Sequence, residues 1–275
     1  MHLRYVKEIL QSPFDILKNL FLYHNILLQM VFREIKGKFA GSVGGLFWNF
    51  AHPLLMLGVY IFVFVYIFKL RIGPSSGAGT SAIYLMAGLF PWMIVAEGLS
   101  RGTTSLIENA SLIQKTSFPT EILTAKAVLA PLFSQGVAIL LLALYKIIFS
   151  GSFEIIFFLP LVIFIQFFFT LGMAFLTAAA TVFFRDVAQL VQIVINIWIY
   201  VTPILYPLIM LPEWAKKVMY FNPLYPFIET YQSLFVRGEP ESLQMFIYAS
   251  IWAVLFFVSG AFIFNKLKDE FADWL

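Results

Sequence analysis

Apolar residues fill this chain in blocks of about twenty or more, separated by short polar stretches, and block length dictates the elements. A bilayer core of about 30 Å needs roughly 20 helical residues at about 1.5 Å each. Residues 45–68 form the first such block, closed by Lys69, Arg71 and a Gly/Pro/Ser turn over 73–81. Residues 82–106 form the second, with Gly88 and Pro91 inside, and Pro91 predicts a kink because it removes a backbone hydrogen bond. The third covers 122–149 and the fourth 153–184. The fourth is too long for an upright span, so it tilts, bends at Pro160 or projects into the cytoplasm. The fifth starts near Val187 and reaches Pro203 or Pro207; the sixth covers 243–264, closed by Lys266, Lys268, Asp269 and Glu270. Ahead of the first, Asp15, Lys18, Asn25, Gln29, Arg33 and Lys36 recur at helical spacing among Phe, Leu, Ile and Val. Residues 14–33 therefore read as an amphipathic helix lying in the membrane interface, with a seventh span as the alternative. The expected fold is an all-α polytopic membrane protein with six transmembrane helices. It forms a single domain over 1–275, divided into an interface helix (1–40), a six-span bundle (41–265) and a tail (266–275).

Composition agrees with the block pattern. Of the 275 residues, 61% are hydrophobic and 12% charged, against roughly 25% charged in a soluble domain. The mean hydropathy is +0.87. No polar stretch is long enough for a soluble domain. A net charge of +3 is too small to argue for nucleic acid. The absence of cysteine excludes disulfides, cysteine-ligated zinc and cysteine nucleophiles. The beginning of the chain lacks the basic, apolar and small-residue layout of a cleaved signal peptide. Basic residues set the orientation. With both termini in the cytoplasm, 12 of the 18 lie inside (among them Arg33, Lys36, Lys38, Arg101, Lys115, Lys126, Arg185 and Lys266) and six outside.

Few groups carry chemistry. His2, His24 and His52 stand in separate segments without metal-ligand spacing, and no HExxH or GxSxG occurs. Gly37-Lys38 is followed by Phe39, with no glycine five residues before Gly37, so it is not a phosphate-binding loop. If ATP powers this protein, the ATPase is another chain. Glu97 and Arg101 are four apart and share a helix face. An ion inside a bilayer costs several kcal/mol unless paired or wet, so the two read either as a polar cavity wall or as a self-neutralising pair at the inner interface. Asn49, His52 and Asn196 interrupt apolar spans, to line a channel or to hydrogen-bond between helices. The polar break at 102–119 places Leu106, Ala110 and Ile113 on one helical face beside Glu108 and Lys115. Such a face fits a groove on a partner; a solvated loop is the other reading.

Four ordered motifs resemble the membrane subunit of ABC-2 type exporters, in the branch that exports O-antigen, capsule or teichoic-acid polysaccharides. The first is Lys38-Phe39-Ala40-Gly41-Ser42-Val43-Gly44-Gly45-Leu46-Phe47-Trp48, continuing to Pro53-Leu54-Leu55. The second is Ala87-Gly88-Leu89-Phe90-Pro91-Trp92, running on through Glu108-Asn109-Ala110, Lys115 and Phe118-Pro119. The third is Phe184-Arg185-Asp186 followed by Pro203-Ile204-Leu205-Tyr206-Pro207, and the fourth is Asn222-Pro223-Leu224-Tyr225-Pro226, ending at Arg237-Gly238. Three positions depart from the family pattern: Phe39 for Tyr, Gly44 for Leu, and Gln232 where an arginine often follows.

The resemblance implies a six-span half-transporter that works as a homodimer with two copies of an ABC ATPase subunit, which carries the ATP and magnesium. No cofactor is expected in this chain, and no enzymatic activity. It implies a channel at the dimer interface for a lipid-linked polysaccharide, in a bacterial inner membrane. It implies re-entrant helices between spans five and six. The Pro-rich stretch 208–242 fits that independently, because its apolar runs 218–221 and 227–235 are too short to cross. Leu106, Glu108, Ala110, Ile113 and Lys115 become the ATPase-coupling segment, with Arg185 and Asp186 as a second contact or a plain charged turn. Trp48, Asn49, His52, Tyr60, Glu97, Arg101, Asn196, Trp198 and Tyr200 become channel or substrate candidates, the aromatic ones stacking on sugar rings unless they face lipid. A drug or lipid exporter is the alternative cargo class; an intramembrane enzyme acting on lipid-linked sugars is the alternative of another kind. On the coupling reading, Leu106→Asp or Ile113→Asp weakens association with the ATPase, measured by copurification.

Overall fold

A computed structural model describes residues 2–37, 44, 47–69, 77–115, 118–151, 153–237 and 243–275, and among them every regular element is helical. In chain order these are α1 (His2–Leu22), α2 (His24–Gly37), α3 (Phe47–Tyr60) with a π-helical continuation Ile61–Ile67, α4 (Ala78–Glu108) and α5 (Ala110–Lys115). Then follow α6 (Thr120–Ser150), α7 (Ile155–Phe183), α8 (Asp186–Val201), α9 (Glu213–Met219), α10 (Tyr225–Arg237), α11 (Leu243–Leu267) and α12 (Phe271–Trp274). Among the described residues, four helices, Ala78–Glu108, Thr120–Phe149, Ile155–Phe183 and Leu243–Trp274, are long and apolar enough to cross a membrane. They coincide with expected spans two, three, four and six. The π-helical stretch continues α3 without a break through the first expected span. The fifth is shorter than its apolar block: α8 has 16 residues, about 24 Å of helix, and stops ahead of Pro203.

The segment ahead of the first span is two helices, not one. α1 begins well before Phe14, and a turn residue, Tyr23, separates it from α2. The polar ridge read from the sequence is present: Asp15, Lys18, Asn25, Gln29, Arg33 and Lys36 are all exposed. Two apolar faces flank it. One is buried against the bundle through Ile16, Leu27 and Val31, and the other leaves Phe14, Phe21 and Phe32 exposed. Polar contacts pin the pair to the bundle. Asn19 Nδ2 donates to Glu121 Oε1 at the start of α6, and Asn265 Nδ2 on α11 donates to Ser12 Oγ at 3.4 Å.

Two buried clusters stack along the bundle. One, at the α10 end, gathers Leu85, Phe90, Trp92, Ile139, Phe169, Leu224 and Phe227. The other, at the α5 end, gathers Ile16, Val31, Leu106, Ile113, Phe175, Phe264 and Phe271. α4 packs along α6 and α7, and α7 along α11. Between membrane helices apolar burial supplies little drive, so close backbone approach matters more. α7 and α11 meet in that way: a Cβ on Gly172 would fall on the backbone of Phe256 and Phe257, and one on Gly260 would fall on the backbone of Gly172. Backbone cannot swing aside as a side-chain tip does. Gly172→Leu and Gly260→Leu are therefore expected to destabilise the fold by about 1–3 kcal/mol or more, read as a lowered unfolding temperature in detergent, whereas Gly136→Ala, with open space around the added carbon, leaves it nearly unchanged.

Candidate functional site

The site is built around the irregular stretch between α8 and α10. α8 ends because Thr202 precedes a proline, which biases it to extended backbone, and Thr202 indeed has ψ 139°. The freed carbonyls are then met by side chains. Tyr84 Oη donates to the carbonyls of Pro203 at 3.4 Å and Tyr206 at 3.2 Å. Gln232 Nε2 donates to those of Pro203 at 3.3 Å and Ile204 at 3.4 Å. Gly88 makes room for this amide, since a Cβ there would lie 2.8 Å from Gln232 Nε2. Gln232 is one of the departures from the family pattern, and a neutral donor suits two carbonyl acceptors.

Asn222 ties the two ends of the stretch together. Its Oδ1 accepts from Trp198 Nε1 at 2.9 Å and from the Leu224 backbone N–H at 3.1 Å, while its Nδ2 donates to Thr202 Oγ1 at 2.9 Å. Deeper in the bundle, Gln166 on α7 donates through Nε2 to the Pro91 carbonyl at 2.8 Å and accepts through Oε1 from Tyr231 Oη at 2.6 Å. Both side chains are fully buried, so this chain of bonds joins α4, α7 and α10 out of reach of water.

So placed, α8 and α4 flank a groove of about 550 Å³ lined by Tyr60, Trp92, Glu97, Ser100, Arg101, Gln192, Asn196 and Tyr200, with Ala96, Ile195 and Ile199. An apolar cleft of about 110 Å³ adjoins it, sharing Tyr60, Trp92 and Ile199. Five of the channel candidates read from the sequence meet here: Tyr60, Glu97, Arg101, Asn196 and Tyr200. Trp198 lies beside the groove, its ring edge-on to Trp92 at 6.2 Å, but its N–H is engaged by Asn222. Trp48 is exposed next to Phe47 and is not among the lining residues. The side chains of Asn49 and His52 lie outside the described residues. Gln192 and Ser100 are additions. Gln192, Asn196 and Tyr200 are spaced by four, one stripe of α8, and that spacing is the signal by which the sequence offers them. Ser100 Oγ donates to Gln192 Oε1 at 3.1 Å, and Gln192 Nε2 donates to Asn196 Oδ1 at 3.3 Å. Hydroxyls and amides that both donate and accept thus line one wall, with aromatic faces at its edges.

The charges at the groove are balanced by a wider network than the expected pair. Arg101 Nε lies 3.1 Å from Glu97 Oε1, as the four-residue spacing predicts, but Arg101 Nη1 lies 2.7 Å from Glu34 Oε1 on α2. Glu34 Oε2 in turn lies 3.7 Å from Lys126 Nζ on α6. Among the described residues, Glu97, Arg101, Glu34 and Lys126 therefore link α2, α4 and α6. Spacing along one helix cannot show Glu34 or Lys126, because they arrive from other elements.

The expected coupling segment is a helical hairpin corner. Asn109 interrupts α4, its Nδ2 donating to the Ser105 carbonyl at 2.7 Å, and its own carbonyl accepts from the N–H groups of Leu112 and Ile113. The apolar face expected to be free for a partner is turned inward. Leu106 is fully buried and Ile113 nearly so, in the cluster at the α5 end, with Ala110 half-buried. The outward groups are Glu108, Ser111, Gln114 and Lys115; Glu108 Oε1 accepts from Thr104 Oγ1 at 2.6 Å. Arg185 and Asp186 are exposed at the α7–α8 turn. Acidic substitution at Leu106 or Ile113 would therefore strike this chain's own core, so a docking test belongs on Gln114 and Lys115.

Four spanning-length apolar helices around a buried polar framework define a multi-pass membrane protein. The description ABC-2 type transporter matches residues 26–236, and the chain belongs to that family. It is similar to the O-antigen export system permease protein RfbA of Myxococcus xanthus, 27% identical over 263 residues that cover 94% of this chain and 98% of that protein. It is likewise similar to the O-antigen export system permease protein RfbA of Klebsiella pneumoniae, 29% identical over 261 residues, 94% of this chain and 97% of that one.

The charge network generates a measurable coupling. Glu34→Lys and Arg101→Glu are each expected to lower the unfolding temperature, by placing like charges together. The double variant restores part of the loss, with a coupling of about 0.5–3 kcal/mol. Strict additivity of the two effects would show that the contact contributes nothing.

Proposed function

We propose that this chain is the permease subunit of an ATP-driven exporter that moves a lipid-linked, O-antigen-like polysaccharide across a bacterial inner membrane. The observation that carries the reading is the groove between α4 and α8. Its amides, hydroxyls and aromatic faces suit a hydroxyl-rich chain, and its Glu97 carboxylate is held by Arg101. Similarity to permeases named for O-antigen export, over 94% of the chain, supports the same cargo class.

In this reading α3 with its π-helical continuation and α8 are the remaining two of six spans, α1 and α2 lie in the cytoplasmic interface, and α9 and α10 re-enter the membrane from outside. Burial of α10 on most of its residues supports the last point, since short helices at membrane depth need protein around them. Both termini are cytoplasmic. Two copies face each other across the exposed sides of α8 and α3, where Leu190, Ile193, Val194, Ile197 and Val59 are open, so that the two grooves become the walls of one channel. Two ATPase subunits, which bind ATP and magnesium, dock at the α5 end and move the spans. A glycan of many units needs such a continuous path rather than a closing pocket.

The test is export in cells lacking the native permease, complemented by this chain with its ATPase. Gln192→Leu, Asn196→Leu and the double variant are expected to reduce surface glycan by about tenfold, the equivalent of roughly 1.4 kcal/mol, while the ATPase still copurifies. Undiminished export from the double variant, or export by this chain with no ATPase present, would sink the proposal.

A further inference from the structure

After α11 the chain turns through Lys268–Glu270 into α12, which packs against both α5 and the end of α7. Phe271 anchors this turn. It is fully buried, with its ring 5.2 Å from that of Phe264 and 6.3 Å from that of Phe183. Trp274, one helical turn on, does the opposite. It is 60% exposed and meets Phe183 edge-on at 5.3 Å. Phe183 directly precedes exposed Phe184, Arg185 and Asp186. Two surfaces about 70 residues apart in sequence, the outer side of α5 and the α7–α8 turn, are thus joined by a third segment into one patch.

We infer that the ATPase subunit grips this composite surface, with α12 as part of the contact and Phe271 as the residue that holds α12 in place. The inference rests on the docking reading above and extends it to a segment outside both expected contacts. The charge of the segment argues for a protein rather than a lipid surface. Residues 268–275 carry one basic and three acidic side chains, Lys268 against Asp269, Glu270 and Asp273. An anionic cytoplasmic leaflet attracts basic segments and repels this one. The complementary occupant is a soluble ATPase face with basic residues around a pocket for an exposed aromatic ring, an arrangement common at interface centres. Because α12 touches both α5 and α7, a push on any of the three is delivered to all of them as one body.

The chain contains no cysteine, so single cysteines report on it directly. Gln114→Cys, Arg185→Cys and Asp273→Cys, all at exposed positions, are introduced into the full chain in inside-out vesicles and labelled with a membrane-impermeant maleimide, with and without the ATPase subunit. All three are expected to label without the ATPase, and to label about tenfold more slowly in the complex, as for a site occluded about nine-tenths of the time. Protection at Gln114→Cys and Arg185→Cys but not at Asp273→Cys would overturn the inference and leave the docking reading standing. Failure of Asp273→Cys to label even without the ATPase would place α12 on lipid and overturn it as well. Absence of protection at all three would sink the docking reading itself.

Discussion

The structure turns on a constraint that is strictest inside a membrane: a backbone carbonyl away from water must find a donor. α8 stops at Val201, and the chain from Thr202 to Pro207 is not helical. Its carbonyls are met by Tyr84 from α4 and Gln232 from α10. Gly88 exists to admit the second of these, and Asn222 closes the loop onto Trp198 and Thr202. These bonds, together with the packing of α8 on α4 and α7, place the two helices that wall the groove. The Gln166 chain, from the Pro91 carbonyl to Tyr231, does the same for α10. The irregular stretch between α8 and α10 is therefore tied to its neighbours by side-chain hydrogen bonds.

The two ends of the bundle solve different problems. At the α10 end, polar side chains satisfy broken backbone. At the α5 end, apolar packing and ion pairs hold elements that are individually too short to be stable. α5 has six residues and α12 four, far below the length at which an isolated helix persists in water. Ile113 and Phe271 bury themselves in the same cluster as Leu106, Phe175 and Phe264. Glu34 adds α2 to the assembly through Arg101 and Lys126.

The groove and the α5 end also meet at one residue. Arg101 lines the groove and at the same time binds Glu34 of α2. A change in the angle of α2 or α4 thus reaches the polar wall directly.

The length and apolarity of four helices, the exposed polar ridge of α1 and α2, and the i, i+4 pairing of Glu97 with Arg101 were all legible in the sequence, because each is a property of one segment and its period. So was the stripe on α8 that carries Asn196 and Tyr200. What the sequence could not assign is which of two chemically equal faces turns inward. Leu106, Ala110 and Ile113 form an apolar face suited equally to a partner and to the chain's own core; only the arrival of Ile16, Phe175, Phe264 and Phe271 from distant segments decided for the core. The partner of the Trp198 N–H, Asn222, likewise comes from another segment. Periodicity along one element sets its length and faces, whereas the partner of each face comes from residues far along the chain, brought together by packing that no local pattern contains.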